Sequence, residues 1–389
     1  MKRHLIHFFG IALLVFGIIG ACSRSFPAAE APAIAETGTP SPSTPVSAVP
    51  APPAGTLTRP ILSDPSGHTF SIRYMDVGQA DAALVECDGH YMLIDGGNTA
   101  DSSRLYATLN SEGVAHLDYI VNSHPHEDHV GGLAGALNAC TVDHVLCPVS
   151  SYDSMAFDNF KKYTEAQGKS IDIPAPGDQF ELGVSLITIL GPIKRDRGYN
   201  DLSIVLRIDY GDTSFLFTGD IEREAEMDLL EAWDESALKT TVLKVAHHGS
   251  DTSTSYYFLW AAEPSYAVIS VGADNTYGHP SERVLSRLSD ADVELYRTDL
   301  MGDIFLNSDG NEVVFTTEKS GILRSQDMAP AESGPTEISE SYSYIGNLRS
   351  HKFHLTTCVS LPVEKNRIYF ETYEEAMAAG YSPCMACLG

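Results

Sequence analysis

The chain has 389 residues, enough for one large domain and a small one. With 52 acidic against 25 basic residues it carries a formal charge of −27, which excludes a simple basic protein that coats nucleic acid. Met1-Lys2-Arg3 precedes an apolar run from Leu5 to Ile19, and Gly20-Ala21-Cys22 follows. A charged start, an apolar stretch shorter than a full span and small residues at a cleavage point predict a leader at 1–21, or an uncleaved anchor. Either leaves the rest of the chain outside the cytoplasm. Residues 22–60 are dominated by Pro, Ala, Ser and Thr and have almost nothing to bury, which predicts a disordered tether.

His68 to Met75 alternates as a strand should, and Ala83–Cys87 and Tyr91–Ile94 read as paired strands joined through Asp88-Gly89. Asp101 to Glu112 reads as a helix. The apolar run Leu117-Asp118-Tyr119-Ile120-Val121 then predicts a buried strand, and His124-Pro125-His126-Glu127-Asp128-His129 comes directly after it. His124 and His126 would point the same way from extended backbone. Asp128 and His129 follow at the turn, where Gly131-Gly132 lets the backbone pass close to whatever they hold. Imidazole with carboxylate suits zinc, manganese or iron, and this ligand count fits two adjacent sites better than one. A histidine-rich surface loop is the plain alternative, but H-x-H-x-D-H is far more specific than a lone histidine.

Further on, the pattern predicts helices at 131–138, 157–167 and 222–233, and strands from Val142 and at Val184–Leu190. The strand Ser214–Phe217 runs into Thr218-Gly219-Asp220. The strand from Leu243 is tipped by His247-His248-Gly249-Ser250. His247 continues the parity of Leu243 and Val245 and is assigned to metal; His248 is assigned to substrate, although the two could be exchanged. A strand at Tyr266–Val271 leads to Asn275 and His279. Strands alternating with helices, with histidines at strand tips, predict an α/β fold of two sheets flanked by helices, an αββα sandwich.

The stretch from His124 to Gly132 resembles the metal-binding signature of the metallo-β-lactamase superfamily, and its trailing Gly-Gly resembles the ComEC-type branch, which includes the extracellular hydrolase domain of bacterial DNA-uptake proteins. Asp76-Val77-Gly78-Gln79-Ala80-Asp81 is similar to that branch's D-V-G-Q-G-D, with Ala80 in place of a glycine. Ile94-Asp95-Gly96-Gly97, Leu243-Lys244-Val245-Ala246-His247-His248-Gly249-Ser250 and the segment through Asn275 to His279-Pro280 also match it. The resemblance covers about residues 68–318. It implies metal held by His124, His126, Asp128, His129, Asp220 and His247, with Asp220 bridging two cations, zinc or manganese. It also implies that Asp76, Asp95, Asn200, Ser250 and Asn275 shape the site or contact substrate. Asp95 is read as orienting a ligating histidine. His279 is read as a substrate contact in preference to a ligand. Many relatives have a further histidine near Asn200; its absence leaves the metal count open. Ile19-Gly20-Ala21-Cys22 resembles a bacterial lipobox, which implies lipid on Cys22 and a membrane-anchored lipoprotein.

Cys140 and Cys147 are close enough in sequence to bridge in an oxidising compartment, or to remain buried thiols. Residues 320–341 read as a linker. His354-x3-Cys358 with Cys384-x2-Cys387 has the ligand types and spacing of a closed tetrahedral zinc site, with one disulfide and a spare thiol as the alternative. The unit at 342–389 resembles the metal-binding domain of Ada, with His354 in place of a first cysteine. So small a unit buries little, and structural zinc would supply roughly 10–16 kcal/mol of apparent folding free energy.

These readings predict a hydrolase domain at 61–319 that activates water with metal, Asp128, His248 and His279 taking part, on DNA or another phosphodiester. Hydrolysis of a small ester, lactone or cell-wall phosphodiester such as phosphocholine is the alternative, and non-catalytic DNA capture a third. DNA-uptake machinery is an expected partner.

Overall fold

The computed structural model describes residues 62–319, 321–324, 343–348, 350–358, 361–362, 366–384 and 387–388. The leader at 1–21, Cys22, the tether at 22–60 and most of the 320–341 linker lie outside the described residues. Among the described residues no helix is long and apolar enough to cross a membrane.

The strands are β1 (Phe70–Tyr74), β2 (Ala83–Cys87), β3 (His90–Ile94), β4 (His116–Val121), β5 (Thr141–Leu146) and β6 (Ile171–Asp172), then β7 (Gln179–Leu182), β8 (Ser185–Gly191), β9 (Val205–Tyr210) and β10 (Thr213–Phe217). They continue as β11 (Val242–Lys244), β12 (Tyr266–Ile269), β13 (Glu294–Arg297), β14 (Ile304–Ser308), β15 (Val313–Thr317) and β16 (Gly321–Arg324). The helices among them are α1 (Ser102–Ser111), α2 (Glu127–Val130), α3 (Leu133–Ala139), α4 (Met155–Ala166), α5 (Arg223–Ala232), α6 (Glu235–Leu238), α7 (Tyr256–Ala262), α8 (Glu282–Asp290) and α9 (Thr298–Met301).

One sheet has nine strands in the order β16-β15-β14-β1-β2-β3-β4-β5-β6, the other seven in the order β13-β12-β11-β10-β9-β8-β7. Their inner faces form one apolar layer. In β1, Phe70, Ile72 and Tyr74 turn inward while Ser71 and Arg73 stay partly exposed, as strand alternation requires. Across the layer Phe70 stacks on Phe215 with ring centroids 4.7 Å apart, and Tyr296 on Phe315 at 4.0 Å. Full burial of side chains of this size is worth about 1.5–3 kcal/mol each. The outer face of the nine-stranded sheet packs Leu93, Leu117 and Ile120 against Leu105, Leu133 and Phe160 of α1, α3 and α4. The other sheet packs Leu216, Leu243 and Ile269 against Leu229, Phe258 and Leu288 of α5, α7 and α8. This is the αββα sandwich expected from the sequence.

Strands β3 and β4 run parallel, with Ile94 opposite Val121, and β10, β11 and β12 run parallel, with Phe217 opposite Lys244 and Lys244 opposite Val268. Their carboxyl ends therefore come level at one end of the sandwich, where ligand sites of parallel sheets form. The residues that follow these strands carry the histidines and acids.

The nine-stranded sheet runs further than expected. Gly321–Arg324, read as the start of the linker, pairs antiparallel with β15, Thr317 opposite Gly321. The C-terminal unit has four strands, β17 (Tyr344–Asn347), β18 (Lys352–Leu355), β19 (Arg367–Phe370) and β20 (Ser382–Pro383), in the order β19-β17-β18-β20, and α10 (Tyr373–Ala378). Its core is small: Phe353, Phe370, Ala376 and Tyr381.

Candidate metal centres

The nine-stranded sheet supplies one half of the main site. After β4 the chain turns through Asn122 and Ser123 into His124, His126, Asp128 and His129. Asp95, at the tip of β3, organises this turn. It accepts from the Ser123 amide and hydroxyl, both at 2.7 Å, and from Asn122 Nδ2 at 3.2 Å. Its Oδ2 also lies 2.9 Å from His129 Nδ1, which turns Nε2 of that ring into the site. The glycine pair is required by space: a Cβ on Gly132 would strike the carbonyl oxygen of Gly96, and one on Gly131 the amide of Thr99.

The seven-stranded sheet supplies the other half, Asp220 after β10 and His247 and His248 after β11. Asp220 is buried and central. Its Oδ1 lies 3.3 Å from His129 Nε2, and its Oδ2 lies 3.7 Å from His248 Nε2, 3.8 Å from His247 Nε2 and 3.9 Å from His124 Nε2. His248 Nε2 is 3.3 Å from Asp128 Oδ2, and His124 Nε2 is 3.0 Å from His126 Nδ1. One atom each from Asp128, His129, Asp220 and His248 fall within 4.8 Å of one another. His124 and His247 also approach Asp220 Oδ2, and His126 approaches His124.

The assignment of the paired histidines therefore changes. His248, read from the sequence as a substrate contact, belongs to the four-residue donor group, and His247 lies outside it, 3.8 Å from Asp220 Oδ2. Strand parity does not carry past Lys244, because β11 ends there. Both histidines adopt left-handed backbone, with φ of 52° in each, and two successive residues of that kind re-aim the side chains.

The remaining candidates are spread around this centre. His279 is partly exposed, its ring 5.6 Å from that of His247 and its Nδ1 3.5 Å from Gln79 Nε2. Asn275 does not face the donors: its Nδ2 donates to the carbonyl oxygens of Gly272 at 3.0 Å and His279 at 2.6 Å, which shapes the loop carrying His279. Ser250 pairs with Thr252 at 3.0 Å. Asp76 lies away from the cluster, 3.7 Å from Lys319 Nζ. Asn200 reaches Glu222 at 3.5 Å.

Three side chains were not singled out in the sequence. Glu222 Oε1 lies 3.3 Å from His247 Nδ1. Asp81 Oδ1 lies 3.3 Å from His248 Nδ1, and Asp81 Oδ2 accepts from Lys244 Nζ at 2.7 Å. The available signals were Asp81 at the end of the D-V-G-Q-A-D match and a lysine inside an otherwise apolar strand.

The electrostatics fit a cation. Burial disfavours charge on His129, yet Asp220, Asp95 and Asp128 hold it well above the ordinary histidine range. Asp220 and Asp81 outweigh burial to raise His248 to about 10. Burial and the neighbouring His129 push His124 well below that range. The carboxylates thus demand positive charge, which divalent metal supplies in place of protons. Among the described residues His129 Nε2, His248 Nε2 and Asp220 Oδ1 are buried and make no hydrogen bond, as metal donors aimed at a common point would.

The second centre is in the C-terminal unit, where single donor atoms of His354, Cys358, Cys384 and Cys387 all lie within 4.8 Å. Both ring nitrogens of His354 are buried without a hydrogen bond among the described residues. Three thiols and an imidazole in that volume suit tetrahedral zinc.

A family model for the metallo-beta-lactamase superfamily matches residues 75–272. The chain belongs to that superfamily. Within it this metallo-β-lactamase-fold chain is of the ComEC type and carries an Ada-like module, since a model for the metal binding domain of Ada matches residues 340–388. It is 28% identical over 249 residues to "ComE operon protein 3" of Bacillus subtilis (strain 168), covering 59% of this chain and 32% of that protein. It is 30% identical over 233 residues to "Competence protein ComA" of Neisseria gonorrhoeae, covering 60% and 31%. The chain thus spans about a third of the length of these relatives. Among solved structures, the metallo-beta-lactamase fold protein YhfI from Bacillus subtilis aligns with a TM-score of 0.43 at 14% identity, over 61% of this chain and all of that one. The fold implies a divalent-metal site, and the Ada-like module a structural zinc.

Proposed function

We propose that the chain is a metal-dependent phosphodiesterase that cleaves DNA, held outside the cytoplasm by a lipid on Cys22. The observation that carries the activity is the meeting of two donor sets on the single carboxylate of Asp220. Divalent metal held by Asp128, His129, Asp220 and His248, and by His124, His126 and His247, would supply Lewis acidity and acidify water. Asp95 fixes the His129 ring, and Asp81 with the Ser270 carbonyl fixes His248 through Nδ1, 3.3 and 2.9 Å away. Asp128, partly exposed at the mouth, can orient the attacking water through its second oxygen. His279, at the rim beside His247, can contact a phosphate oxygen or give a proton to the leaving oxygen from its ring. Tyr277, 72% exposed, stacks on His279, and Tyr152 and Tyr199 stand edge-on to His126. These rings offer flat surfaces on both sides of the donor cluster.

The competence-protein relatives support DNA as substrate. The net charge of −27 favours a second reading, hydrolysis of a small phosphodiester or ester. Purified protein, stripped with chelator and reloaded with Mn²⁺ or Zn²⁺, should cleave single- or double-stranded DNA, and Asp128→Ala and His248→Ala should not. High salt should suppress DNA cleavage far more than hydrolysis of a small phosphodiester, because only the polymer binds through many phosphates. Cleavage of small esters or phosphocholine but of neither form of DNA would overturn the nuclease reading and leave metal-dependent hydrolysis standing. Recovery of protein with residues 1–21 attached and Cys22 unmodified would remove the lipid anchor.

A further inference from the structure

The Ada-like module meets α8 and the turn after it through polar groups, three of them buried. Asp292, just past the end of α8, accepts from Asn347 Nδ2 through one oxygen and from Asn366 Nδ2 through the other, both at 2.9 Å. Both asparagines are fully buried. Lys352 reaches Ser286 of the same helix, and its Nζ lies 3.4 Å from Asp290 Oδ1. Asp290 is itself completely buried, and its Oδ2 lies 3.8 Å from Cys384 Sγ, one of the four zinc donors. Asn347 and Asn366 are buried where they meet Asp292, so a different seating would strand their amides without partners.

The same helix holds the loop after the histidine pair. Asp290 Oδ2 accepts from Tyr256 Oη at 2.9 Å. One turn earlier, Arg287 donates to the carbonyl oxygens of Ser253 and Thr254 at 2.8 and 3.3 Å and to Asp251 at 3.1 Å. From the other side, Glu226 of α5 accepts from the amides of Thr254 and Ser255, and Ser253 Oγ donates to the carbonyl of Ile221, next to Asp220, at 2.8 Å. This loop needs such support. His247, His248 and Thr254 all have φ of 52–53°, a left-handed conformation unusual for residues with a side chain. Such a conformation persists only where its surroundings over-determine it.

We propose that the zinc module is an internal brace for the active-site histidines: zinc at His354, Cys358, Cys384 and Cys387 holds the module's fold, the module clamps the end of α8, and α8 holds residues 251–256 behind His247 and His248. In this arrangement Asp290 and Arg287 are positioning residues, and the module does for the donor loop what a bound partner would do. The inference does not depend on which substrate the site takes.

Hydrogen–deuterium exchange on the full chain tests it, comparing wild type with Cys387→Ser, which removes a zinc donor, and with Asn347→Ala/Asn366→Ala, which unseats the module while leaving its donors in place. The first variant should lose one zinc per chain and the second should retain it. In both, amides of 251–256 and 284–292 should exchange at least roughly tenfold faster, while those of 116–121 stay as in wild type. Unchanged exchange at 251–256 in either variant, or unchanged zinc content in Cys387→Ser, overturns the proposal. So does equal acceleration at 116–121, which would mean general destabilisation.

Discussion

Lys244 donates to Asp81 at 2.7 Å between the two sheets, with both side chains buried. Lys244 opposes Phe217 in one sheet, and Asp81 precedes β2 in the other, so the pair spans the sandwich directly beneath His248. Removing one partner leaves the other charge buried and uncompensated. Lys244→Met should therefore destabilise the protein by about 3–5 kcal/mol, whereas Lys244→Met with Asp81→Asn should cost less than the sum of the single changes. Urea denaturation of the four proteins checks this; additive losses would mean that the two groups do not act as a pair.

Asp95 gathers Asn122, Ser123 and His129 on one carboxylate. Because it acts on a metal donor through that donor's far nitrogen, Asp95→Ala should weaken metal binding at the main site by about 10–100-fold. Zinc in the Ada-like module should be retained. Competition with a chelator of known affinity, followed by metal analysis, separates the two populations.

Cys140 and Cys147, for which a bridge was one possibility, are separate buried thiols. Cys140 donates to the Val114 carbonyl at 3.1 Å and Cys147 to Asn122 Oδ1 at 3.4 Å. Burial pushes Cys140 up to about 11 and Cys147 up to about 12. Only the thiolate attacks, so at pH 8 neither should react with an alkylating reagent in the native protein, and both should react in denaturant. Peptide mapping after alkylation reads this directly, and rapid native labelling of either residue would contradict it.

Glu226 is buried against the Thr254 and Ser255 amides, and burial raises its carboxyl above the ordinary glutamate range despite those hydrogen bonds. An acid whose folded value is raised favours folding more below its unfolded value, and that contribution is lost as pH rises through the folded one. Glu226→Gln removes the titration while keeping an acceptor. The variant should gain on wild type as pH climbs from about 4 toward 7, measured by denaturant midpoints. A stability difference independent of pH would exclude this contribution.

The layered fold was legible because it rests on local periodicity: β1 alternates, and α1, α3, α4 and α5 fall where helices were read. His124, His126, Asp128, His129 and Asp220 were legible as candidates because each follows directly on an apolar strand. The assignment within His247-His248 was not, because alternation holds only while backbone is extended, and β11 ends three residues before His247. Lys244 and Asp81 were missed for a different reason. Their meaning lies in a contact between residues 163 apart, and no local pattern carries it. The four donors of the module were plain from spacing, whereas its seating on α8 depends on asparagines and aspartates that look like ordinary surface residues in sequence.

The division of the main site between the sheets bears on how the protein matures. His124, His126, Asp128 and His129 come from one half of the sandwich; Asp220, His247 and His248 come from the other, about a hundred residues later in the chain. Neither half alone can assemble the full set, so tight metal capture has to wait until the sheets have docked. A nascent chain would therefore be a poor scavenger of metal and a finished one a good keeper. Free energy of capture then adds to the cohesion of the completed sandwich by mass action, and metal scarcity would first be felt as a loosening between the two sheets.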